Sequence, residues 1–263
     1  RGGSVRVAGS ESSQFLSALL MAAPFAAGEV IVEVAGELVS EPFVRMTLQV
    51  MKQFGVTVEQ PVPGRFVVPP GQIYRGQPFE IEPDASAASY FWAAAAITGG
   101  EITVDGIGTA SIQGDVAFVD LLEQMGAKVI RRLDSITVIG GPLHGIETDM
   151  NAISDTALTL AVVAAFADGS TTIKNIAHIR HQETDRIRAM ATELRKIGAI
   201  VDERPDGVCI HPGRLQGATI ETYNDHRIAM SFALVGLRTS GMLISNPACT
   251  SKTYPRFFED LQT

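Results

Sequence analysis

Cysteine is scarce: Cys209 and Cys249 are the only two among 263 residues. Two thiols make no disulfide framework, and their spacing forms no metal-ligand set, so a reducing compartment is expected. Charge is sparse as well, at 19% of residues, and its balance is acidic, with a formal net charge of −8. That balance argues against non-specific nucleic-acid binding. It leaves small anions open, because helix N-termini attract them locally whatever the net charge. No apolar run reaches the ~20 residues of a membrane span. The longest, "FLSALLMAAPFAAG" at 15–28, contains Pro24 and is expected to form a buried core helix. The residues from Arg1 onward have no signal- or transit-peptide pattern, and the expected location is cytoplasmic. What the chain does have is apolar residue, 46% of the total, enough to bury a core.

Four segments repeat. They are "SSQFLSALLMAAPFAAGEVIVEVAG" (12–36), "SAASYFWAAAAITGGEITVDGIG" (86–108), "SDTALTLAVVAAFADGSTTIKNIA" (154–177) and "NDHRIAMSFALVGLRTSGMLISNPA" (224–248). Each has a polar start, an Ala-rich apolar helix, a glycine stop and a short β-rich run. The stops Gly28, Gly100, Gly169 and Gly241 lie 72, 69 and 72 residues apart. A second helix ends each of the first three units, at 48–60, 121–131 and 193–203, and strand pairs follow with turns at "VPG" (62–64), "LDS" (133–135) and "PDG" (205–207). The unit is α–β–α–β–β, and its natural architecture is a βαβαββ repeat that packs sheet against helix. The fourth unit reaches its second helix at "YPRFFEDLQT" without the strand pair.

Equivalent helix starts of such repeats fall on one side. Most of the polar residues there, Ser40, Asp84 and Asp115 among them, read singly as caps. Arg186, Arg227 and Lys252 do not, because a cation at a helix N-terminus opposes the macrodipole. Three such placements suggest cations gathered for an anion. In "HQETDR" (181–186), Glu183 extends the stripe Ile187–Met190–Leu194 by four residues and is expected to point inward from a helix top. Ser hydroxyls, three cations, Glu183 and Asp155 suit a small polyanionic substrate: phosphate on helix N-termini and guanidinium groups, carboxylates for proton transfer.

At these residues the chain resembles the 5-enolpyruvylshikimate-3-phosphate synthases. The motifs are "GSESSQFLSALLMAAP" (9–24), "DASAASYF" (84–91), "SDTALT" (154–159), "ETDRIRAMATELRKIGA" (183–199), "YNDHRIAM" (223–230) and "CTSKTYP" (249–255), in family order. The related UDP-N-acetylglucosamine enolpyruvyl transferases share the repeat but typically lack "NDHR" and "SKTYP". The resemblance implies an α/β fold of inverted βαβαββ repeats in two domains: residues 1–82, the last repeat of an incomplete N-terminal domain, and 83–263, most of a C-terminal domain. It implies transfer of the carboxyvinyl group of phosphoenolpyruvate to the 5-hydroxyl of shikimate 3-phosphate, with no metal or organic cofactor. Asp155 would deprotonate the acceptor hydroxyl and Glu183 would serve proton transfer at the methylene carbon. Arg186, Arg227 and Lys252 would bind phosphoenolpyruvate. Ser12, Ser13 and Ser40 would hold the shikimate phosphate, with Gln14 between both substrates and His178 and Gln182 beside the acceptor.

Three positions depart from the family's common pattern: Phe43 stands where tyrosine is frequent, Gln182 where lysine is, and His178 where asparagine is. The family's N-terminal "GSKS"-type lysine loop and "GTxxRPL"-type segment are not in this sequence. A complementary N-terminal polypeptide is therefore an expected partner, and the chain alone is expected to be inactive. Two other readings stand beside this one: an enolpyruvyl transferase for a different acceptor, and a non-catalytic module that binds shikimate 3-phosphate.

Overall fold

The computed structural model describes residues 1–262 and resolves into two compact units, each with its own core. The first comprises Arg1–Ile81 with Ile112–Gly114; the second comprises Glu82–Ser111 and the chain from Asp115 onward.

The first unit is one complete repeat: β1 (Gly3–Ala8), α1 (Ser13–Ala22), β2 (Val30–Ala35), α2 (Glu41–Gln53), β3 (Glu59–Val62) and β4 (Arg65–Val68). Its sheet runs β1-β2-β4-β3, with β1 and β2 parallel and the other pairings antiparallel. Pro63-Gly64 turns the β3–β4 hairpin, with Gly64 at φ +76°, where an L side chain is strained. Leu16 and Leu20 of α1, Val44 and Met51 of α2, and Val32 and Phe66 of the sheet form the core.

The second unit contains three repeats. The first of them has α3 (Ala85–Thr98), β5 (Glu101–Asp105), α4 (Phe118–Gln124), β6 (Lys128–Arg131) and β7 (Ser135–Ile139), in a sheet ordered β5-β7-β6. It lacks a leading strand: the preceding "QPFEIEPD" (77–84) forms no ladder, and its prolines Pro78 and Pro83 cannot donate to one. The next is complete: β8 (Glu147–Asp149), α5 (Ala157–Ala164), β9 (Thr171–Lys174), α6 (Arg186–Lys196), β10 (Ile200–Arg204) and β11 (Gly207–His211). Its order, β8-β9-β11-β10, and its directions reproduce those of the first unit. The last has β12 (Thr219–Ile220), α7 (His226–Ala233), β13 (Leu243–Ile244) and α8 (Phe257–Asp260), with β12 parallel to β13 and no strand pair among the described residues.

The hairpins fall where the turn chemistry places them. α3 stops one residue earlier than its glycine pair suggested, because Gly99 takes the left-handed C-terminal position (φ +79°). The stripe Ile187, Met190, Leu194 and Ile197 is fully buried, each side chain contributing about 1.5–3 kcal/mol. α3 and α5 are buried almost all round. The expectation of a buried core helix at 15–28 is corrected. Only Ser13, Leu16, Ser17 and Leu20 of α1 face inward, while Phe15, Leu19, Met21 and the following Phe25 are exposed. The cause is one-sided packing: α1 lies on its sheet and on α2, where Ser17 and Thr47 share a 3.0 Å hydroxyl contact. Among the described residues, no helix is long and apolar enough to cross a membrane.

Candidate active site

Topology gathers the polar helix starts. β8 and β9 are adjacent and parallel, so the segments after them, leading to α5 and α6, leave the same end of the sheet. The same holds for β12 and β13, which lead to α7 and to the 3-10 turn Pro247–Lys252. In the second unit these four segments place Asp155, Glu183, Arg186, Asp225, Arg227 and Lys252 in one ion-pair network.

Arg186, the first residue of α6, is 2% exposed and is the hub. Its Nε and Nη2 donate to Asp225 Oδ2 and Oδ1 at 2.7 and 3.2 Å, a bidentate clamp between two repeats. Nη2 also donates to Glu183 Oε2 at 3.0 Å, and Nη1 to Gln182 Oε1 and, at 3.5 Å, to Asp155 Oδ1. Arg227 Nη2 donates to Asp155 Oδ2 at 2.7 Å, and Lys252 Nζ donates to Glu183 Oε1. Asp225 additionally caps α7, accepting from Arg227 N at 2.9 Å. The chain enters α7 through two successive left-handed residues, Tyr223 (φ 52°) and Asn224 (φ 57°). That conformation costs about 1–2 kcal/mol for an L residue. The Tyr223 hydroxyl, donating to Glu193 at 2.8 Å, helps to hold it.

Burial alone would raise Glu183, but the Lys252 hydrogen bond and the neighbouring Arg186 outweigh it and bring its pKa down to about 2. Burial pushes the Tyr90 phenol up to about 12 despite the opposing pull of Arg227, so it stays neutral beside that guanidinium. Burial and the adjacent Arg227 keep His226 below its usual value, as burial does for His178. The site is thus three cations interleaved with carboxylates and neutral aromatics.

Several expectations change in detail. Glu183 does not extend α6. Residues Ala177–His181 form a 3-10 turn, Asp185 caps the helix by accepting from Arg188 N at 3.0 Å, and Glu183 reaches the network from the loop between them. Lys252 ends a 3-10 turn rather than opening α8. Asp155 makes no cap to α5, its carboxylate going to the two arginines instead. Gln182 accepts from Arg186 Nη1, a contact a lysine could not make. His178 is buried, with Nε2 2.8 Å from Ser154 Oγ. Asp84 is a cap, bonded to Ser86 N and Ala87 N, and Asp115 accepts from Ser86 Oγ within the interior.

Ser12, Ser13, Gln14 and Ser40 belong to the first unit, at the starts of α1 and α2, which follow the parallel neighbours β1 and β2. Ser12 caps α1, accepting from Gln14 N at 3.2 Å; Ser13 is buried and the Gln14 side chain is exposed. Ser40 makes no side-chain cap to α2 and sits in the left-handed region (φ 52°), a backbone cost that concentrates at functional sites. An apolar groove of about 470 Å³ between α1 and α2, lined by Met21, Val50, Phe54 and Tyr74, offers nothing to an anion.

Asp225 was not singled out by sequence reasoning. It lies in "YNDHRIAM", but its partner Arg186 is 39 residues away in another repeat, and no periodicity links the two.

The family described as "EPSP synthase (3-phosphoshikimate 1-carboxyvinyltransferase)" matches residues 1–261. The chain is 52% identical over 265 residues to the 3-phosphoshikimate 1-carboxyvinyltransferase of Sulfurovum sp. (strain NBC37-1), covering all of this chain and 62% of that one. It is similar in structure to EPSP synthase of Acinetobacter baumannii (TM-score 0.81, 28% identity, 98% of this chain and 61% of that one). The fold is shared with the enolpyruvyl transferase NikO of Streptomyces tendae (TM-score 0.73, 22% identity, 93% and 57%). The chain spans about three-fifths of the length of these relatives. With the match running through every repeat and through each segment of the ion-pair network, the chain belongs to the EPSP synthase family.

Proposed function

We propose that this chain carries the catalytic half of a carboxyvinyl transfer from phosphoenolpyruvate to the 5-hydroxyl of shikimate 3-phosphate. One observation carries the reading: Asp155 and Glu183, both partly exposed, occupy cations that a phosphate and a carboxylate could take from them. Arg186 is already clamped by Asp225, so it serves as a fixed anchor. Arg227 and Lys252 exchange Asp155 and Glu183 for the anionic groups of phosphoenolpyruvate.

The exchange prepares both carboxylates. Asp155, relieved of Arg227, accepts the proton of the acceptor hydroxyl as its oxygen bonds to the carbon bearing the phosphate. Glu183, relieved of Lys252, loses the contact that holds its pKa near 2 and can take up and relay a proton. The methylene carbon gains that proton, giving a tetrahedral ketal. Return of a proton from the resulting methyl group to the site then expels phosphate and restores the double bond. Ser12, Ser13 and Ser40, with their helix starts, hold the shikimate phosphate; Gln14, His178 and Gln182 orient the acceptor.

We read residues 1–82 and 83–263 as parts of two domains, supported by the division of contacts near Ile81, and the enzyme as cytoplasmic, in keeping with two free thiols. Activity requires sequence equivalent to the remaining two-fifths of the relatives, on the same or a complementary polypeptide. Phosphate release tests the proposal: shikimate 3-phosphate and phosphoenolpyruvate are added to the chain, alone and with that sequence supplied. Turnover only in the supplemented arm is expected. No turnover there, or turnover only with another acceptor, overturns the reaction; equal turnover in both arms overturns the requirement.

A further inference from the structure

Residue spacing alone identified no metal-ligand set, yet the third βαβαββ sheet assembles one. Asp202 of β10 and Cys209 of β11 are directly opposed across the antiparallel ladder, and His211 stands two residues beyond Cys209. Side chains alternate along a strand, so all three share one face. The other face carries Val201, Val208, Ile210 and Ile173 into the core. One carboxylate oxygen of Asp202, the Cys209 sulfur and one ring nitrogen of His211 lie within 4.8 Å of one another. This group lies outside the anion network and nothing in the proposed chemistry uses it.

We infer that this face of the sheet is a binding site for a divalent transition metal of the zinc class. A soft thiolate and an imidazole beside a single carboxylate make a mixed S/N/O donor set that suits zinc and cobalt rather than magnesium or calcium, which take oxygen donors. Bond lengths of about 2.0–2.3 Å set ligand–ligand edges of roughly 3.3–3.8 Å in a tetrahedron. The widest separation, within 4.8 Å, therefore closes by about 1 Å at most, while the 3.0 Å contact between His211 and Asp202 opens slightly. Asp202 and His211 are the mobile partners, on exposed and half-exposed side chains. Two anionic ligands and a neutral imidazole neutralise a divalent ion, leaving a fourth position for water.

The surroundings are arranged for the exchange. Without metal, His211 Nε2 lies 3.0 Å from Asp202 Oδ2; a carboxylate only accepts, so Nε2 carries the proton. His211 Nδ1 lies 2.7 Å from Ser170 Oγ. A hydroxyl both donates and accepts, so when metal takes Nε2 the proton moves to Nδ1 and Ser170 becomes its acceptor. Metal-bound histidines characteristically hold their second nitrogen in this way. Thr172, opposite Cys209 on β9, donates to the sulfur at 3.4 Å and helps fix its position. Binding therefore expels one proton, that of the thiol, while the ring keeps its own on Nδ1.

Cobalt(II) titration of the untagged, thiol-reduced 263-residue chain tests this. One equivalent is expected to produce a sulfur-to-cobalt charge-transfer band with tetrahedral d–d bands, and zinc should abolish both by displacement. Cys249→Ser should keep the charge-transfer band and Cys209→Ser should remove it. Replacing Cys209 carries a folding cost, so Asp202→Asn, at an exposed position, gives an independent reading. It and His211→Gln should each weaken binding at least about tenfold, and Ser170→Ala about 10–100-fold. No thiolate band in the reduced chain, a band that survives Cys209→Ser, or affinity unmoved by both Asp202→Asn and His211→Gln would overturn the site.

Discussion

Asp155 and Asp225 occupy equivalent places in successive repeats. Each follows the leading strand of its unit and each meets a guanidinium. Their surroundings differ. Asp225 is fully buried and spends its oxygens on Arg186 and on the cap of α7. Asp155 caps nothing, is 22% exposed, and touches Arg227 and Arg186 from the solvent side. A carboxylate whose acceptors are committed inside the fold sets geometry. One that can exchange its partners is available for a proton. Repetition has thus supplied one acid committed to architecture and one left able to change partners.

The largest effect expected is structural. Asp225→Ala removes one partner of a buried, bidentate pair, and such losses cost about 3–5 kcal/mol. Thermal unfolding should fall by roughly 10 °C for a unit of this size; a melt within a degree or two of the parent would make Asp225 no more committed than Asp155. Next comes Arg227→Ala in an enzyme supplied with the family's full length. It should raise KM for phosphoenolpyruvate far more than for shikimate 3-phosphate, by about 2–5 kcal/mol of binding. Equal effects on both substrates would instead point to a role in folding.

The smallest effect concerns Glu183. Its pKa near 2 lies below the ordinary 4.5. Its contribution to stability is therefore complete above the unfolded value and fades as pH falls from about 4.5 towards 2. Glu183→Gln should flatten the acid limb of the stability profile in that window, read by denaturation at stepped pH. An unchanged limb would mean that the Lys252 contact adds nothing in solution.

Much of the fold is legible in the sequence because its marks are local. Gly64 and the "LDS" and "PDG" turns locate the hairpins, and the Ile187–Ile197 stripe locates α6. The start of α6 was misplaced because Asp185, rather than an earlier residue, takes the cap, leaving Glu183 in a loop. The exposed side of α1 escaped notice because an apolar, Ala-rich helix looks the same whether it is packed on one side or all round. Within the site, Arg186, Arg227 and Lys252 stood out as cations that helix starts disfavour. Asp225 did not, because an acid there is what a helix start prefers. Its second task depends on a guanidinium from another repeat, as the Asp202–Cys209–His211 group depends on strand register.

The division of labour between the two acids is tested most directly by single-turnover kinetics of Asp155→Asn, with shikimate 3-phosphate affinity measured on the same protein. Asparagine keeps the shape and a hydrogen bond but cannot take a proton. The account predicts a rate lower by about 10²–10⁴-fold, with acceptor affinity changed only a few-fold and the melting temperature essentially retained. A near-parental single-turnover rate would contradict it, leaving Asp155 as an ion-pair partner with no part in the chemistry.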